Sequence, residues 1–362
     1  MKNPTAGKPA PIGAGPSVAS GSKARAPARG QRRPTQRDIA LATGLSQTAV
    51  SLVLNRVEPS TVSAEARELI LQTAQRLGYV PNRMARNLQS ARTHTLACII
   101  PDITNPTFPA LVRGFQSAAD AAGYDTMIFD TDGTLERERR ALQWLSQGHV
   151  DGVMALFFHF DDADLAQALH GRIAVVQMVS EYRPSGDIDQ VYIDNAAAAQ
   201  AMTQALIDKG HQRIAMLSCP RGPGAERQRG FHAAMQKAGL SASLITADDF
   251  TQVAGLRAME AELAEHFHCS AVFAANDLLA IGAMAALRAA GRRIPDDVAV
   301  AGFDDIPSAQ LLHPALTTVR RFEHEMGRFA AELLIARLDG LDADQPGRGF
   351  ERPFELVMRD SA

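Results

Sequence analysis

The side chains best suited to hold a small polar molecule are a cation, an amide and a carboxylate in the second half of the chain. Asn276 follows an apolar run that ends at Ala275, Asp304 follows Phe303 at the end of another, and Arg227 lies in a helical segment. Ligands of α/β proteins bind at the carboxyl ends of strands, so these side chains are expected in one cleft, where they can orient the hydroxyl groups of a sugar or sugar-like molecule. A second interpretation of Asp304 is that it only caps the next helix.

Neither catalysis nor a resident metal is indicated. The sequence contains no GxSxG, HExxH or P-loop GK[ST] pattern. The segment His266-Phe-His268-Cys269 has no complementary ligand pair and is interpreted as a solvated helix end. Cys98, Cys219 and Cys269 lie in apolar stretches without CxxC spacing, which is typical of buried thiols in a reducing compartment. We therefore expect no enzyme activity, no metal and no cofactor.

A second group of polar residues lies on three short predicted helices near the N terminus. Thr35, with an acid three residues later, marks the first helix start, and Ser46 caps a second helix that ends at Asn55. The glycine-containing turn between them predicts a helix-turn-helix. A third helix is capped by Ser63 and ended by Gly78. Such a unit is too small to enclose a ligand but large enough to present one helix to a DNA groove.

Charge is distributed unevenly along the 362 residues, although the net charge is only −3. Residues 1–33 carry seven basic side chains and no acid, and residues 34–92 carry seven arginines and four acids. The remaining 270 residues carry 23 basic and 36 acidic side chains. A cationic front joined to an anionic body indicates a nucleic-acid partner for the front.

Two N-terminal segments have too little apolar content to fold alone. Residues 1–33 are rich in Pro, Gly, Ala and Ser, which predicts a disordered basic arm. The arm either adds non-specific attraction to DNA or serves as a solubilising extension. The segment 82–90 has helix formers but is shorter than the roughly 12 residues of a marginally stable isolated helix, so it needs a partner to fold.

The rest of the chain alternates apolar runs with amphipathic helices, which predicts parallel sheets covered on both faces. Two successive groups of runs indicate two sheets with a cleft between them. The predicted strands are 96–100, 126–129, 152–158, 173–179, 214–217, 271–275 and 298–302. No run approaches the roughly 20 apolar residues of a membrane span, and residues 1–33 lack the apolar core of a signal peptide. We expect a cytoplasmic protein with no membrane partner.

Several motifs, taken in order, resemble the lactose-repressor/galactose-repressor family. The resemblance spans residues 34–360 and rests on the helix-turn-helix at 35–55, Leu77-Gly-Tyr79-Val-Pro81-Asn82-Arg83, Ile100-Pro-Asp-Ile-Thr-Asn-Pro106, Arg227-Gln-Arg-Gly-Phe231, Ala275-Asn-Asp277, Gly302-Phe-Asp-Asp305 and His313-Pro-Ala-Leu-Thr-Thr-Val319. It implies a sequence-specific DNA-binding transcription regulator, a repressor, controlled by a small-molecule effector.

The resemblance also assigns DNA-binding residues. Those of the helix-turn-helix are Thr35, Arg37, Ser46, Gln47, Thr48, Ser51, Leu52 and Asn55, and those of the hinge are Asn82, Arg83, Arg86 and Leu88. Gln47 can read adenine bidentately, and Thr48 can meet a thymine methyl group. Leu52 stands where the family often has an arginine, so an unusual operator is expected. Leu88 matches a leucine that is wedged into the minor groove, although from the residues alone it can also be a core side chain.

For the effector, the resemblance implies Arg227, Asn276 and Asp304 as ligand-holding residues and Phe250 as an aromatic face that stacks on the ligand. Asn105, Phe108 and Asp194 are further expected contacts from the first half of the core. For Asn105 and Asp194, a purely structural role explains the residue type equally well.

The predicted fold class is a small all-α helix-turn-helix headpiece plus an α/β core of two parallel-sheet subdomains, like that of periplasmic sugar-binding proteins. The predicted domains are an arm (1–33), a headpiece (34–80), a hinge (81–92) and a core (93–362), with chain crossings near 195–205 and 318–325. The expected partners are a pseudo-palindromic double-stranded DNA operator, a small-molecule effector and a second copy of the chain in a homodimer.

Two functions from other classes compete with this interpretation. A periplasmic-type ligand-binding protein shares the core but has no DNA-binding role, and residues 34–90 argue against it. An α/β enzyme is disfavoured because the nucleophile and metal patterns are missing. Whether the effector releases DNA or acts as a co-repressor does not follow from the sequence.

Overall fold

Two units make up the chain, one on each side of residue 83. The computed structural model describes residues 34–55, 61–80, 92–169, 173–184, 186, 188–265, 267–341 and 345–362. Below, residues 34–80 are called the headpiece and residues 92–362 the core unit. The expected arm at 1–33 and most of the expected hinge, with Asn82, Arg83, Arg86 and Leu88, lie outside the described residues.

Three helices form the headpiece: α1 (Gln36–Thr43), α2 (Gln47–Leu54) and α3 (Ala64–Leu77). Each begins where a hydroxyl side chain accepts a backbone N–H of the first turn, at Thr35, Ser46 and Ser63. Thr35 and Asp38 also form the reciprocal capping box that the sequence predicts. The helices close over a small apolar core of Ile39, Val50, Val53, Ile70 and Ala74.

Two parallel sheets organise the core unit. The first has six strands in the order β11-β5-β4-β3-β1-β2, and the second has four in the order β7-β6-β8-β9. In chain order the strands are β1 (Thr95–Ile100), β2 (Asp125–Asp130), β3 (Gly152–Ala155), β4 (Ala174–Met178), β5 (Asp189–Tyr192), β6 (Ile214–Ser218), β7 (Ser243–Thr246), β8 (Ala271–Ala274), β9 (Ala299–Ala301), β10 (Thr318–Arg320), β11 (Gly349–Glu351) and β12 (Glu355–Val357). Strands β10 and β12 form a separate antiparallel pair.

Eight helices accompany these strands in the described part of the core unit. They are α4 (Thr107–Ala121), α5 (Leu135–Leu145), α6 (Asp162–Leu169), α7 (Asn195–Asp208), α8 (Gly224–Lys237), α9 (Gln252–Ala264), α10 (Asp277–Ala289) and α11 (Glu323–Leu338). Helix α11 packs on α4 and on strands β3 to β5, so it belongs with the six-stranded sheet. Helices α7 to α10 surround the four-stranded sheet. The two sheets with their helices are called the six-stranded half and the four-stranded half.

The register shows that β1 lies between β2 and β3, parallel to both. Ala97 of β1 pairs with Met127 of β2 on one side and with Val153 of β3 on the other. The chain leaves the six-stranded half after Tyr192 and returns after Arg320. Between β11 and β12 the chain leaves the six-stranded half again, because β12 pairs with β10. The sequence analysis did not predict this third crossing.

Close packing of α4 against α11 depends on two glycines. A Cβ atom at Gly114 would lie 1.8 Å from the carbonyl oxygen of His324, and one at Gly327 would lie 1.9 Å from that of Leu111. Backbone atoms cannot move aside as the end of a flexible side chain can. Glycine is therefore required at both positions for the two helices to approach this closely.

We expect Gly114→Ala to destabilise the core unit by about 1–3 kcal/mol, because the added methyl group forces the two helix backbones apart. Urea unfolding followed by circular dichroism measures the change. Ser117→Ala, on the exposed side of the same helix, is the control and should change stability by less than about 0.5 kcal/mol. Equal stability of Gly114→Ala and the wild type would contradict the packing described for this pair.

Candidate functional site

A cleft of about 960 Å³ lies between the two halves of the core unit, at the carboxyl ends of their strands. Its walls contain six of the seven residues expected to contact an effector, namely Asn105, Phe108, Arg227, Phe250, Asn276 and Asp304. Parallel strands present their carboxyl ends at one edge, so the loops after them meet here. The volume falls within the range of about 300–1,000 Å³ that is typical of small-molecule sites.

Arg227 is the most deeply placed cation of the cleft, with 2% of its side chain exposed. Its Nε donates to Oδ1 of Asn195 at 2.9 Å, and Nη1 donates to the carbonyl oxygen of Ala275. Its guanidinium lies 3.6 Å from the centre of the Phe303 ring. Burial lowers the pKa of Arg227 to about 10, while the nearby Asp304 acts to raise it, so the side chain stays charged at neutral pH.

Asp304 lies between two arginines. Its Oδ1 accepts a hydrogen bond from Nη1 of Arg321 at 3.1 Å and lies 3.6 Å from Nη2 of Arg227. Asp304 has a φ of 112°, a conformation that non-glycine residues rarely adopt. The carboxylate faces these two arginines and does not cap the next helical turn, Ala309–Leu311, which has no side-chain cap. The backbone N–H of Ile306, between them in the chain, donates to Asp277 at 2.8 Å.

From Arg321 the polar contacts continue into the six-stranded half. Nε of Arg321 lies 3.6 Å from Oε1 of Glu323, the first residue of α11, and that oxygen accepts a hydrogen bond from the hydroxyl of Thr107 at 3.0 Å. Thr107 begins α4. Asp304, Arg321, Glu323 and Thr107 thus link a wall of the cleft to the two helices that pack together behind it.

Burial raises the pKa of Glu323 to about 7, even though Arg321 acts to lower it. The folded protein then keeps a proton on Glu323 between about pH 4.5 and 7, where the unfolded chain loses it. Stability therefore falls as the pH rises through this window. We expect Glu323→Gln to gain stability relative to the wild type between pH 5 and 8, by roughly 3 kcal/mol in the limit of an unperturbed unfolded state.

Urea titrations of both proteins at pH 5 and pH 8 test this expectation. The control is Glu325→Gln, an exposed neighbour on the same turn of α11, which should show the pH dependence of the wild type. A difference between Glu323→Gln and wild type that does not change with pH would show that Glu323 is ionised across the whole range.

Both the oxygen and the nitrogen of the Asn276 side-chain amide form hydrogen bonds with the protein backbone. As the N-cap of α10, its Oδ1 accepts the backbone N–H of Leu279 at 2.9 Å, and its Nδ2 donates to the carbonyl oxygen of Phe250 at 3.0 Å. The second bond ties the loop that carries Phe250 to the end of β8. Asn276 therefore positions the aromatic ring as well as lining the cleft.

Of the three further contacts expected from the first half of the core, Asn105 and Phe108 line the cleft at the start of α4, and Asp194 does not. Asn105 is almost fully buried and its Oδ1 accepts the backbone N–H of Thr107, while Phe108 packs against the core. Asp194 is not among the residues that line the cleft. Its carboxylate accepts the backbone N–H of Ala197 at 2.8 Å as the N-cap of α7, which is the structural role considered in the sequence analysis.

Sequence reasoning missed two residues of the cleft wall, Asn195 and Arg321, and the partner of Arg321, Glu323. Arg321 and Glu323 follow β10, a strand of only three residues without the apolar run from which other strands were predicted. Asn195, the partner of Arg227, lies in an alanine-rich helix start. The available signal was the placement of Arg321 and Glu323 within the expected chain crossing near 318–325.

The headpiece presents a polar face on α2. Gln47 and Thr48 are exposed, and Ser51, Leu52 and Asn55 are partly exposed on the same side of the helix. The amide of Asn55 donates to the hydroxyl of Ser51 at 3.1 Å. Val50 and Val53 lie on the opposite side, in the headpiece core.

Three further expected DNA contacts, Thr35, Arg37 and Ser46, lie outside α2. Arg37 on α1 is exposed, and Ser46 accepts the backbone N–H of Ala49 at 3.1 Å as the cap of α2. The hydroxyl of Thr35 donates to Asp38 at 2.7 Å. An exposed helix with adjacent glutamine and threonine side chains matches the dimensions and the donor and acceptor groups of the DNA major groove.

Comparison with known proteins accounts for both units. A family model described as bacterial regulatory proteins of the lacI family matches residues 35–82, and a model of a periplasmic binding protein-like domain matches residues 203–362. The ribose operon repressor of Halalkalibacterium halodurans is 34% identical over 329 residues, which cover 90% of this chain and 96% of that protein. In the described parts of the chain, no helix is both long and apolar enough to cross a membrane.

Two solved structures are similar to the whole arrangement of elements. A complex of the transcriptional regulator CelR with cellobiose is 31% identical, with a TM-score of 0.67 over 91% of this chain and all of that one. A Lac repressor dimer bound to operator and the anti-inducer ONPF has a TM-score of 0.81 over 91% of this chain and 99% of that one, and its 24% identity shows the shared fold. These findings confirm the resemblance seen in the sequence: the chain belongs to the lacI family of bacterial regulatory proteins.

Proposed function

We propose that the protein is a sequence-specific transcriptional repressor that is controlled by a sugar bound in the cleft of the core unit. The observation that carries the proposal is the joining, in one chain, of an exposed recognition helix to a cleft whose buried wall combines Arg227, Asn276 and Asp304. The cleft alone does not distinguish a regulator from a ligand-binding protein, whereas the headpiece joined to it does. Cytoplasmic location follows from the need to reach DNA.

The sugar class is supported by the chemistry of the wall. Guanidinium and carboxylate groups fixed side by side donate to and accept from adjacent hydroxyl groups, as a sugar requires. The aromatic rings of Phe108 and Phe250 line the same cleft and offer apolar surface to the C–H faces of a sugar ring. Similar proteins point the same way, since one is named a ribose operon repressor and another was solved with cellobiose.

The domain organisation is part of the proposal. Residues 1–33 form the basic arm, 34–80 the DNA-binding headpiece, 81–92 the hinge with Asn82, Arg83, Arg86 and Leu88, and 93–362 the effector-binding core. The hinge folds on operator DNA when two headpieces meet there, and Leu88 enters the minor groove. The ordering of the hinge is the step that effector binding and DNA binding influence together.

A homodimer is proposed because each sheet exposes apolar side chains on or beside an edge strand. Met127 and Ile128 of β2 are 38% and 45% exposed, and Leu244 of β7 and Val253 at the start of α9 are 43% and 54% exposed. Unpaired, apolar edges of this kind are usually covered by another chain. Two-fold symmetry then places two headpieces on a pseudo-palindromic operator.

The proposal is tested by selecting DNA sequences from a random pool on the purified full-length protein, followed by gel-shift assays with and without ribose, glucose, maltose and cellobiose. We expect an enriched two-fold-symmetric site whose affinity changes in the presence of at least one sugar. The direction of the change tells induction from co-repression. Enrichment of no sequence would favour the ligand-binding protein without a DNA-binding role.

A further inference from the structure

One aromatic side chain spans the mouth of the cleft. Phe158 follows β3 in the six-stranded half, and its ring lies between two glycines, Gly133 and Gly222. A Cβ atom added at Gly222 would lie 3.0 Å from Cε1 of Phe158, and one added at Gly133 would lie 3.2 Å from Cδ2 and Cε2. Gly133 belongs to the loop after β2, and Gly222 to the loop after β6 in the four-stranded half. The ring therefore lies close to the backbone of both halves and bridges them.

Part of the ring stays exposed at the cleft. The ring lies against a glycine of each half, the side chain is 37% exposed, and Phe158 lines the cleft. An aromatic face at the border between cleft and solvent stacks well on the C–H face of a sugar ring, because it covers apolar surface while the hydroxyl groups stay in water. Larger side chains at Gly133 or Gly222 would displace it.

A buried carboxylate fixes the loop that carries Phe158. Glu138 on α5 is fully buried, its Oε1 accepts the backbone N–H of Phe158 at 2.9 Å, and its Oε2 accepts that of His159 at 3.0 Å. Nδ1 of His159 lies 3.3 Å from the same Oε2. A carboxylate that accepts two consecutive backbone N–H groups holds a loop in one conformation. The backbone position from which the Phe158 ring extends is thus fixed by the fold.

The cleft is large for a single sugar ring. Its volume of about 960 Å³ lies near the top of the range of roughly 300–1,000 Å³ for small-molecule sites, and its buried polar wall at Arg227 and Asp304 is distinct from its exposed aromatic border at Phe158. One ring held at the polar wall leaves the space beside Phe158 to a second group. The border residue and the wall residues then contact different parts of one ligand.

We propose that Phe158 forms the aromatic wall of an outer subsite, so that the effector is a disaccharide or larger glycoside and not a monosaccharide. This inference rests on the proposed sugar-binding function. Phe158 acts as a specificity-determining residue that stacks on the outer ring of the ligand, and Glu138 is its positioning residue. The inner ring is held by Arg227 and Asp304.

Isothermal titration calorimetry of the full-length protein with cellobiose, maltose, glucose and ribose tests the subsite. We expect at least one disaccharide to bind more tightly than both monosaccharides. Phe158→Ala should lower the affinity for that disaccharide by about tenfold or more and change the affinity for monosaccharides by less than about twofold. Phe158→Tyr, which keeps the ring, should restore affinity, and Phe354→Ala, a partly buried phenylalanine that does not line the cleft, is the matched control.

Two calorimetric results would overturn the subsite. One is a monosaccharide that binds the wild type as tightly as the best disaccharide, and the other is a Phe158→Ala variant that weakens both classes equally. The role of Glu138 is tested by Glu138→Gln, which should reduce disaccharide affinity while leaving monosaccharide affinity intact. If the ratio of disaccharide to monosaccharide affinity in Glu138→Gln equals that of the wild type, Glu138 has no positioning role.

Hydrogen exchange of the ligand-free protein provides a readout that does not depend on the identity of the sugar. We expect Phe158→Ala to speed amide exchange in the loops 132–134 and 219–224, because the ring no longer bridges them. Binding of none of the four sugars would count against the proposed sugar effector, whereas unchanged exchange in both loops would overturn the bridge itself. The two failures are therefore distinguishable.

Discussion

Replacing Arg227 with methionine should abolish the response to sugar while leaving affinity for operator DNA in the absence of sugar nearly unchanged. Methionine fills much of the same space but cannot donate to Asn195 or to the carbonyl oxygen of Ala275, and it leaves Asp304 with Arg321 as its remaining cationic partner. Loss of a buried charged donor to a ligand costs several kcal/mol, because the ligand oxygens that it served stay unpaired. We expect affinity for the effector to fall by about 100-fold or more.

Calorimetry with the best-binding sugar and gel-shift assays on the selected operator measure the two effects separately. Arg213→Met is the matched control, because Arg213 is exposed and donates to the carbonyl oxygen of His268, away from the residues that line the cleft. Thermal unfolding of both variants shows whether the core remains folded. A folded Arg227→Met protein with the sugar affinity of the wild type would remove Arg227 from the effector site.

The architecture of the core could be predicted because its main strands are apolar on both faces. All seven predicted runs overlap a strand of the two parallel sheets, and helices lie between them. The strands that were missed, β5, β7, β10, β11 and β12, have three or four residues each. Length alone does not explain the misses, because β3, β8 and β9 are equally short. The missed strands lack an apolar run, and their pairing with distant parts of the chain, as of β10 with β12, is not visible in local periodicity.

Phe158 illustrates how a buried polar group can override an apolar pattern. The apolar run from Gly152 to Phe158 predicts one continuous strand, whereas β3 ends at Ala155. The backbone N–H groups of Phe158 and His159 donate to Glu138. Nothing in the local sequence of the run indicates that a glutamate about 20 residues earlier accepts these hydrogen bonds. The strand is therefore shorter than its hydrophobicity suggests, and its last aromatic residue reaches the cleft.

The candidate site was predictable as far as the rule of strand ends applies. Arg227, Asn276 and Asp304 line one cleft, as the sequence indicates. Asp194 also follows a strand, but its position at the start of α7 makes helix capping the competing use of its carboxylate, and the structure places it there. Arg321 reaches Asp304 from β10 through a long-range contact that no spacing rule predicts.

The recognition helix of the headpiece should account for operator specificity, and Gln47 should have the largest share. Gln47 is exposed at the first position of α2, where a side chain can approach the edges of base pairs. A bidentate contact between glutamine and adenine contributes about 1–3 kcal/mol of discrimination, and a dimer makes it twice. We expect Gln47→Ala to lower affinity for the selected operator by about 2–6 kcal/mol.

Affinity for a scrambled duplex of the same length should change little in Gln47→Ala, because non-specific binding depends on phosphate contacts from the arginines and lysines, which the variant retains. Fluorescence anisotropy with both duplexes at one salt concentration gives the ratio directly. Gln72→Ala is the matched control: Gln72 is an exposed glutamine on α3 that donates to Glu68 at 2.8 Å, within the same headpiece. If Gln47→Ala weakens both duplexes to the same extent, or if Gln72→Ala reduces operator affinity as strongly, the base-reading role belongs to another face of the headpiece and the assignment of α2 as the recognition helix is wrong.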